Sequence, residues 1–347
     1  MTTNTYGDLT PRQSGFSVAE FLKRAIPLLV IEKFGEQKPL PKNETKTIKM
    51  RRYYLTGGTG GYSGVTPTAG YSIPLATTAL TEGTTPAGTT VDYKDYSVDV
   101  AQYGNWTGFT DFIMDTHEDY PAVVREFSDM LSEQAATTKE TLIYNVLKAG
   151  TNVFYANGTA RTDVNTPITL ALIRKVTRAL KNQNTMKITS VLASTPSFNT
   201  QPVEAAFVAL VHPNIENDIR NIDGFIPVKQ YAMGKAYEGE IGTVEDVRFV
   251  SSTVFTAFAD AGGLDGDLVL STTGTNADVY PLIFLGKNAF SVIPLRGMNT
   301  AQMYVVYPKA TESDPLAQRG TVGYKFYHAS IITNDYALIR AEVAATV

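Results

Sequence analysis

The sequence contains no cysteine, a single tryptophan (Trp106), three histidines and few charged residues for its length. Without cysteine, the chain cannot form disulfide bonds, thiolate zinc sites or cysteine nucleophiles. Charged residues make up 18% of the 347 positions, against about 25% in typical soluble domains. Hydrophobic residues make up 43%, which is enough to bury a core and excludes a disordered chain. We therefore expect a folded protein with less surface than usual facing water in its working state.

Long apolar runs are also missing, so no membrane span is predicted. No secretion signal is recognised at the N-terminus. The net charge of −4 argues against a general nucleic-acid binder, which would be basic. The length indicates two domains or one large elaborated domain.

Charge is distributed unevenly along the chain. Residues 1–52 contain ten basic and five acidic side chains, whereas residues 111–150 contain three basic and eight acidic ones. Two interpretations stay open. The asymmetry is either chance sampling of surface charge, or it marks a basic leader that packs on an acidic helix of its own chain or of a neighbour.

The strongest helix signal lies between Asp111 and Gly150, where apolar residues recur at spacings of three and four. We predict a helix over 119–149, about 45 Å long at 1.5 Å per residue. A helix of that length is typical of a structural spine. Its predicted apolar face comprises Val123, Val124, Phe127, Met130, Leu131, Ala135, Leu142, Ile143, Val146 and Leu147.

Two predicted strands, residues 47–53 and 91–100, flank a long Gly-, Thr- and Ser-rich excursion. The apolar positions of the second strand change phase, which predicts a bulge near Lys94 and Asp95. The excursion itself covers residues 54–90, far longer than the 12–15 residues that compact domains tolerate without regular structure. Because it contains apolar side chains, we expect a partner to cover it.

The remainder of the chain reads as mixed α/β. A second helix is predicted from Ile168 to Asn182, and a fully buried strand from Phe207 to Val211. The C-terminal tail shows two alternating stretches, which predict an antiparallel hairpin turning near Asn334 and Asp335. No internal repeat is found.

No motif in the sequence predicts a catalytic, cofactor or metal site. The glycines between residues 57 and 64 lack the Lys-Ser or Lys-Thr pair of a phosphate loop. His212 and Glu216 share one helical face, but two ligands do not make a zinc site. Asp260, Asp265 and Asp267 lie in a Gly-rich turn, where a solvated loop is favoured over a calcium site. No cofactor is predicted.

Seven segments in chain order resemble one family of phage coat proteins. They include EKFGEQKPLPKNETKTIKMRRY (32–53), LTEGTTPAGTTVDY (80–93), VDVAQYGNWTGFTD (98–111), VLKAGTNVFYANG (146–158), VHPNIENDIRNIDGFIPVKQYA (211–232), GEIGTVEDVRFV (239–250) and DPLAQRGTVGYKFYHASIITNDYALIRAE (314–342). The sequence thus resembles the tailed-phage major capsid proteins typified by the podovirus called N-four.

This resemblance implies an α+β chain with the Hong Kong 97-type capsid fold. It implies an N-terminal arm (1–45), an extended β loop with its flanking strands (46–110), a peripheral domain with the long spine helix (111–160), an axial domain (161–300) and a return to the peripheral domain (301–347). The implied function is structural, not enzymatic: a coat protein that assembles into the icosahedral head around double-stranded DNA. The alternatives are a tail-tube or decoration protein and a monomeric enzyme.

The implied partners are further copies of the chain, in hexamers and pentamers. Scaffolding, decoration and portal proteins, packaged DNA held by non-specific contact, and procapsid maturation belong to the same expectation. The implied location is the virion, after assembly in the host cytoplasm, with no membrane partner. We expect removal of residues 1–45 to leave a folded subunit. The predicted assembly contacts are Phe21, Leu28, Arg51, Arg52, Tyr62, Tyr71, Ile73, Leu75, Glu126, Asp129 and Glu133.

Overall fold

A computed structural model gives the fold of the chain. It describes residues 3–4, 29–55, 79–85, 88, 90–116, 120–189, 204–231, 236–266, 268–295, 301–310, 312 and 314–347. The helices are α1 (Asp111–Thr116), α2 (Tyr120–Lys148), α3 (Leu170–Asn182) and α4 (Glu216–Arg220). The strands are β1 (Thr3–Asn4), β2 (Glu36–Gln37), β3 (Thr47–Leu55), β4 (Val91–Asp99), β5 (Ala101–Thr110), β6 (Val153–Tyr155), β7 (Phe207–Val211), β8 (Phe225–Pro227), β9 (Glu240–Val244), β10 (Val247–Ser251), β11 (Tyr280–Leu285), β12 (Phe290–Val292), β13 (Gln302–Val306), β14 (Arg319–His328), β15 (Ser330–Ile332) and β16 (Leu338–Val343).

The 29-residue helix α2 confirms the predicted spine. Its N-terminal half packs on a four-stranded sheet of order β1-β5-β14-β13. Alternate residues of β14, namely Val322, Tyr324 and Phe326, point toward the helix and are buried with it. Met130, predicted on the apolar face of the helix, is 59% exposed instead. The predicted apolar face of α2 is therefore wider than the part of the helix surface that the four-stranded sheet covers.

A seven-stranded sheet, of order β6-β16-β11-β7-β10-β9-β8, forms the second and larger core. Its central strand β7 is buried throughout because both faces of the sheet are covered. One face packs on α3, whose apolar residues Ile173, Val176 and Leu180 follow helical spacing. The other packs on the C-terminal half of α2. Thr169 caps α3 by accepting the Leu172 N–H.

Two smaller sheets connect these layers. The three-stranded sheet has the order β15-β12-β2, and β3 pairs with β4 in an antiparallel two-stranded ribbon. The base of the ribbon packs Ile48, Met50 and Val98 against Leu40 and Ile293 of the body. The remainder of the ribbon extends away from this small core.

The predicted bulge in β4 is wrong. The ribbon pairs without interruption from Thr47 opposite Asp99 to Leu55 opposite Val91. The apolar phase changes because the apolar side chains move from one face of the ribbon to the other. Near the base they face the body, and further out Tyr93 lies on the opposite face, where burial no longer sets the pattern.

The predicted C-terminal hairpin is also wrong. β14 pairs with β5 and β13, whereas β16 pairs with β11 and β6 in the seven-stranded sheet. A one-turn 3₁₀ helix, Asp335–Ala337, separates the two regions. The alternating patterns of the two stretches were identified correctly, but alternation reports only that one face is buried and does not name the pairing strand.

The expectation that residues 1–45 are dispensable for subunit folding is contradicted. Ile31, Phe34 and Leu40 are 0%, 7% and 2% exposed and belong to the cores of the subunit. Removing them would expose apolar surface that the fold buries. The described part of the leader is therefore a component of the body from Val30 onward.

Candidate functional site

The ribbon β3–β4 is held by side-chain contacts across its distal half. The Arg51 guanidinium donates two hydrogen bonds to Asp95, from Nε to Oδ1 at 2.7 Å and from Nη2 to Oδ2 at 2.9 Å. The same guanidinium lies 3.9 Å from the Tyr93 ring centroid, and the Tyr53 ring contacts that of Tyr93 edge-on. The bond from Arg51 lowers the pKa of Asp95 below its usual value. These contacts keep an isolated two-stranded ribbon in one register.

Much of the ribbon surface carries no covering layer within the described subunit. Tyr53, Tyr93 and Val91 are 65%, 51% and 62% exposed. Leu80, in the segment that returns toward β4, is 77% exposed. Exposed aromatic and aliphatic groups grouped on one extended feature mark a surface that another molecule covers.

The leader joins the body at a 3₁₀ turn, Ile31–Phe34, that lies against α2. The buried Glu140 carboxylate of α2 accepts the Ile31 N–H at 2.9 and 3.1 Å. Beside it, Lys139 forms an ion pair with Glu32 at 2.7 Å. Phe34 packs edge-on against Tyr237, with ring centroids 5.0 Å apart. The helix thus holds the Ile31–Phe34 turn in place, and the earlier residues of the leader are joined to the body at this turn.

The structure places the predicted assembly residues in different regions. Arg51 and Arg52 lie on β3, and Arg51 pairs with Asp95 within the ribbon. Of the three acids on α2, Glu126 is exposed, Glu133 is half-buried and Asp129 is buried. The remaining predicted contacts lie outside the described residues: Phe21, Leu28, Tyr62, Tyr71, Ile73 and Leu75.

The ion pairs of the described leader do not follow the predicted leader–helix complementarity. Lys46 pairs with Asp99 across the ribbon. The ion pair between leader and helix has the opposite arrangement to the predicted one: the basic residue, Lys139, belongs to the helix, and the acidic residue, Glu32, belongs to the leader. Within residues 29–52, the basic charge is thus matched mainly by acids of β4 and of the body.

Sequence reasoning missed Glu140, although one signal was available. Glu140 occupies a position in phase with the buried helix residues Ala136, Ile143, Tyr144 and Leu147. An acidic residue within an apolar stripe predicts either a buried partner or a special environment. Here the partner is the backbone of the leader.

The outer face of the four-stranded sheet presents a second exposed feature that the sequence did not reveal. Trp106, Gly323 and Tyr304 lie in one row across β5, β14 and β13. The two aromatic side chains are 52% and 45% exposed and border a shallow groove of about 500 Å³. The central glycine leaves the groove open, because a Cβ there would lie 2.9 Å from the Trp106 side chain.

The described residues contain no cluster of three or more acidic, histidine or cysteine side chains that could hold a metal ion. His212 accepts the Asn214 N–H through Nδ1, a local capping contact. Asp260 accepts the N–H and hydroxyl of Thr273 and so braces its own loop. None of the helices that the structure describes combines the length and apolar character that crossing a bilayer requires.

Comparison with solved structures shows the same architecture in phage heads. The capsid of Ralstonia phage GP4 matches with a TM-score of 0.60 at 14% identity, covering 88% of this chain and 87% of that one. The head of Helicobacter pylori bacteriophage KHP40 matches with a TM-score of 0.55 at 13% identity, with coverages of 89% and 86%. The capsid of Cyanophage Pam1 gives 0.52 at 15%, with coverages of 88% and 86%. The likeness confirms the α+β capsid fold predicted from the resemblance.

Sequence comparison gives the family. No curated protein matches the chain. The family model described as "Phage capsid protein" matches residues 92–341, well over half of the sequence. That range includes the spine helix α2, all but the first residue of β4, and the strands of both large sheets except β1 and the last two residues of β16. The chain therefore belongs to this phage capsid protein family and is a major capsid protein of a tailed phage.

Proposed function

We propose that the subunit closes the head shell by laying its ribbon, and the leader residues between β1 and the Ile31–Phe34 turn, on neighbouring copies. The observation that carries this proposal is the ribbon β3–β4, whose distal half exposes Tyr53, Val91 and Tyr93. In the described subunit, only the ribbon base contributes to a buried core. A second copy is the partner that a shell supplies at every such position.

Physical considerations favour an intermolecular role for the ribbon. A two-stranded antiparallel ribbon alone is marginally stable in water. Ordering the ribbon costs conformational entropy that its cross-strand contacts offset only in part. Burial against a neighbour supplies the missing apolar contact at about 25 cal/mol per Å². Many weak contacts in a closed shell then act together.

The domain division follows from this role as part of the proposal. The division is an arm (1–45), an extended loop with its flanking strands (46–110), and a peripheral domain formed by the spine region (111–160) with the return segment (301–347). Within the first two segments, the Ile31–Phe34 turn and β5 belong to the body. Residues 161–300 form the axial domain. The pairing of β16 with β11 supports assigning that last strand to the axial sheet, which refines the expected boundary.

We further propose the finer aspects of assembly. The copies form hexamers and pentamers, and scaffolding, decoration and portal proteins join them during procapsid assembly and maturation in the host cytoplasm. Packaged DNA contacts the shell without sequence recognition. The net charge of −4 supports this, because a strongly basic lining would bind phosphate tightly and hinder filling.

The proposal is tested by replacing residues 56–90 with Asn-Gly. Leu55 and Val91 are directly paired, so a two-residue type I′ turn can join them without changing the register. We expect circular dichroism and the unfolding transition to stay close to those of the full chain, while electron microscopy shows no shells. Normal shells from this variant would refute the role of the ribbon tip. A globally unfolded variant would show that the loop belongs to the subunit core.

A further inference from the structure

The contact between the leader and the spine helix contains an ionisable group in an unusual setting. Glu140 is 0% exposed, yet its carboxylate faces backbone N–H groups and no cation of the described residues pairs with it. Its Oε2 lies 2.9 Å from the Ile31 nitrogen, and its Oε1 lies 3.5 Å from that of Glu32. The neighbouring cation, Lys139, is committed to Glu32 at 2.7 Å.

Charged and titratable groups around this contact come from three elements. The leader turn contributes Glu32 and Lys33, and Lys33 pairs outward with Glu238. The helix contributes Lys139 and Tyr144, whose hydroxyl donates to the Thr256 carbonyl. β14 contributes Tyr324 and His328, the latter 2% exposed, and β15 has no titratable residue. None of the ion pairs described here neutralises Glu140.

We propose that the junction of leader and spine helix is a proton-linked latch, in which the buried Glu140 side chain holds the leader turn more tightly when the junction has taken up a proton. The junction is specific because the two carboxylate oxygens of Glu140 face the consecutive N–H groups of Ile31 and Glu32 at the start of the 3₁₀ turn. Docking of the leader turn depends on pH because it buries the Glu140 carboxyl group, whose negative charge is not neutralised by a cation of the described residues. This inference concerns the subunit itself and goes beyond the proposed shell function.

The direction of the linkage follows from the environment of the carboxyl group. Burial raises the pKa of Glu140 from 4.5 to about 7, and the N–H groups of Ile31 and Glu32 oppose this only in part. In the undocked state proposed here, water reaches the carboxyl group and its pKa returns toward the ordinary value. Docking therefore takes up a proton between these two values, and it weakens as the pH rises through about 7.

His328 gives a linkage of the opposite sign. Burial and the charge of Lys139 lower its pKa from 6.5 to about 4. Its contribution to stability is present above pH 6.5 and is lost as the pH falls through about 4. Between pH 8 and pH 6 the two groups therefore act in opposite directions, since only Glu140 strengthens docking there on acidification.

Hydrogen exchange on the full-length, unassembled chain tests the latch. Peptides covering residues 29–34 are followed by mass spectrometry from pH 8 to pH 6, with correction for intrinsic exchange rates. We expect their protection to rise about tenfold over this range, the ratio that the two pKa values give. Constant or falling protection on acidification would overturn the proposal. Because no assembly is required, that outcome would leave the shell function untouched.

Three variants assign the effect. Glu140→Gln keeps an acceptor oxygen but cannot titrate, so its protection should not vary with pH. Glu44→Gln removes the same charge from an exposed position of the leader and should keep the wild-type pH dependence. His328→Gln should also keep it. Persistence of the pH dependence in Glu140→Gln, or its loss in either of the other two variants, would contradict the assignment.

Discussion

Arg161 forms a bidentate ion pair with the fully buried carboxylate of Glu342, from Nε to Oε2 and from Nη2 to Oε1, both at 2.8 Å. Arg340, two residues away on β16, lies 2.9 Å from the same carboxylate and also donates to the carbonyl of Lys148 at the end of the spine helix. One acid thus links the seven-stranded sheet, the 161–163 turn and, through Arg340, the spine helix. We infer that this cluster keeps the two main layers in a fixed relation while the ribbon and leader contact other copies.

Replacing Glu342 with alanine should destabilise the subunit strongly. The change leaves two guanidinium groups without their buried partner, which typically costs about 3–5 kcal/mol. Arg174→Ala is the matched control, because its pair with Glu245 is 61% and 40% exposed and contributes about 1 kcal/mol or less. Urea unfolding of both variants measures the difference. Equal losses in the two variants would contradict the structural role of the cluster.

A glycine in β14 is required by close packing. A Cβ on Gly320 would lie 2.3 Å from the ring of Phe109, which is fully buried between the four-stranded sheet and α2. We expect Gly320→Ala to lower the free energy of unfolding by about 1–3 kcal/mol, the range for overpacked cores. Gly88→Ala, where a Cβ meets no atom within 4 Å, is the control and should change stability little. A stable Gly320→Ala variant would show that the sheet can shift.

Truncation of the leader should give two distinct results depending on where it ends. Removing residues 1–28 takes the two-residue strand β1 from the edge of the four-stranded sheet but leaves Ile31, Phe34 and Leu40 in their cores, so the unfolding free energy should stay near that of the full chain. Removing residues 1–45 deletes all three, each worth about 1.5–3 kcal/mol when buried. We expect neither truncation to form shells. Shells formed by the 29–347 chain would remove the leader from the assembly mechanism.

The sequence was informative wherever one face of an element is buried in the subunit itself. The spine helix, the helix after Thr169 and the strand 207–211 were all predicted close to their observed bounds. These elements carry their own apolar period, which reports burial directly. The resemblance to phage coat proteins supplied what periodicity could not, namely how the layers combine.

The features that were predicted wrongly or not at all share a physical cause. Each depends on which distant part of the chain an element contacts, and local sequence does not record that. Alternation in the C-terminal tail could not show that β16 pairs with β11 rather than with β14. The phase change in β4 looked like a bulge because Tyr93 turns toward Arg51 instead of a core. Glu140 was missed because its partners are backbone N–H groups more than a hundred residues away. Long-range partners leave little trace in local sequence.

The most direct measurement of the central claim is the size of the particles that the purified full-length chain forms, by sedimentation velocity followed by cryo-electron microscopy. We predict closed shells in which the ribbon and the residues before the Ile31–Phe34 turn contact neighbouring subunits. A compact monomer at every concentration, with both segments folded on its own body, would contradict the account.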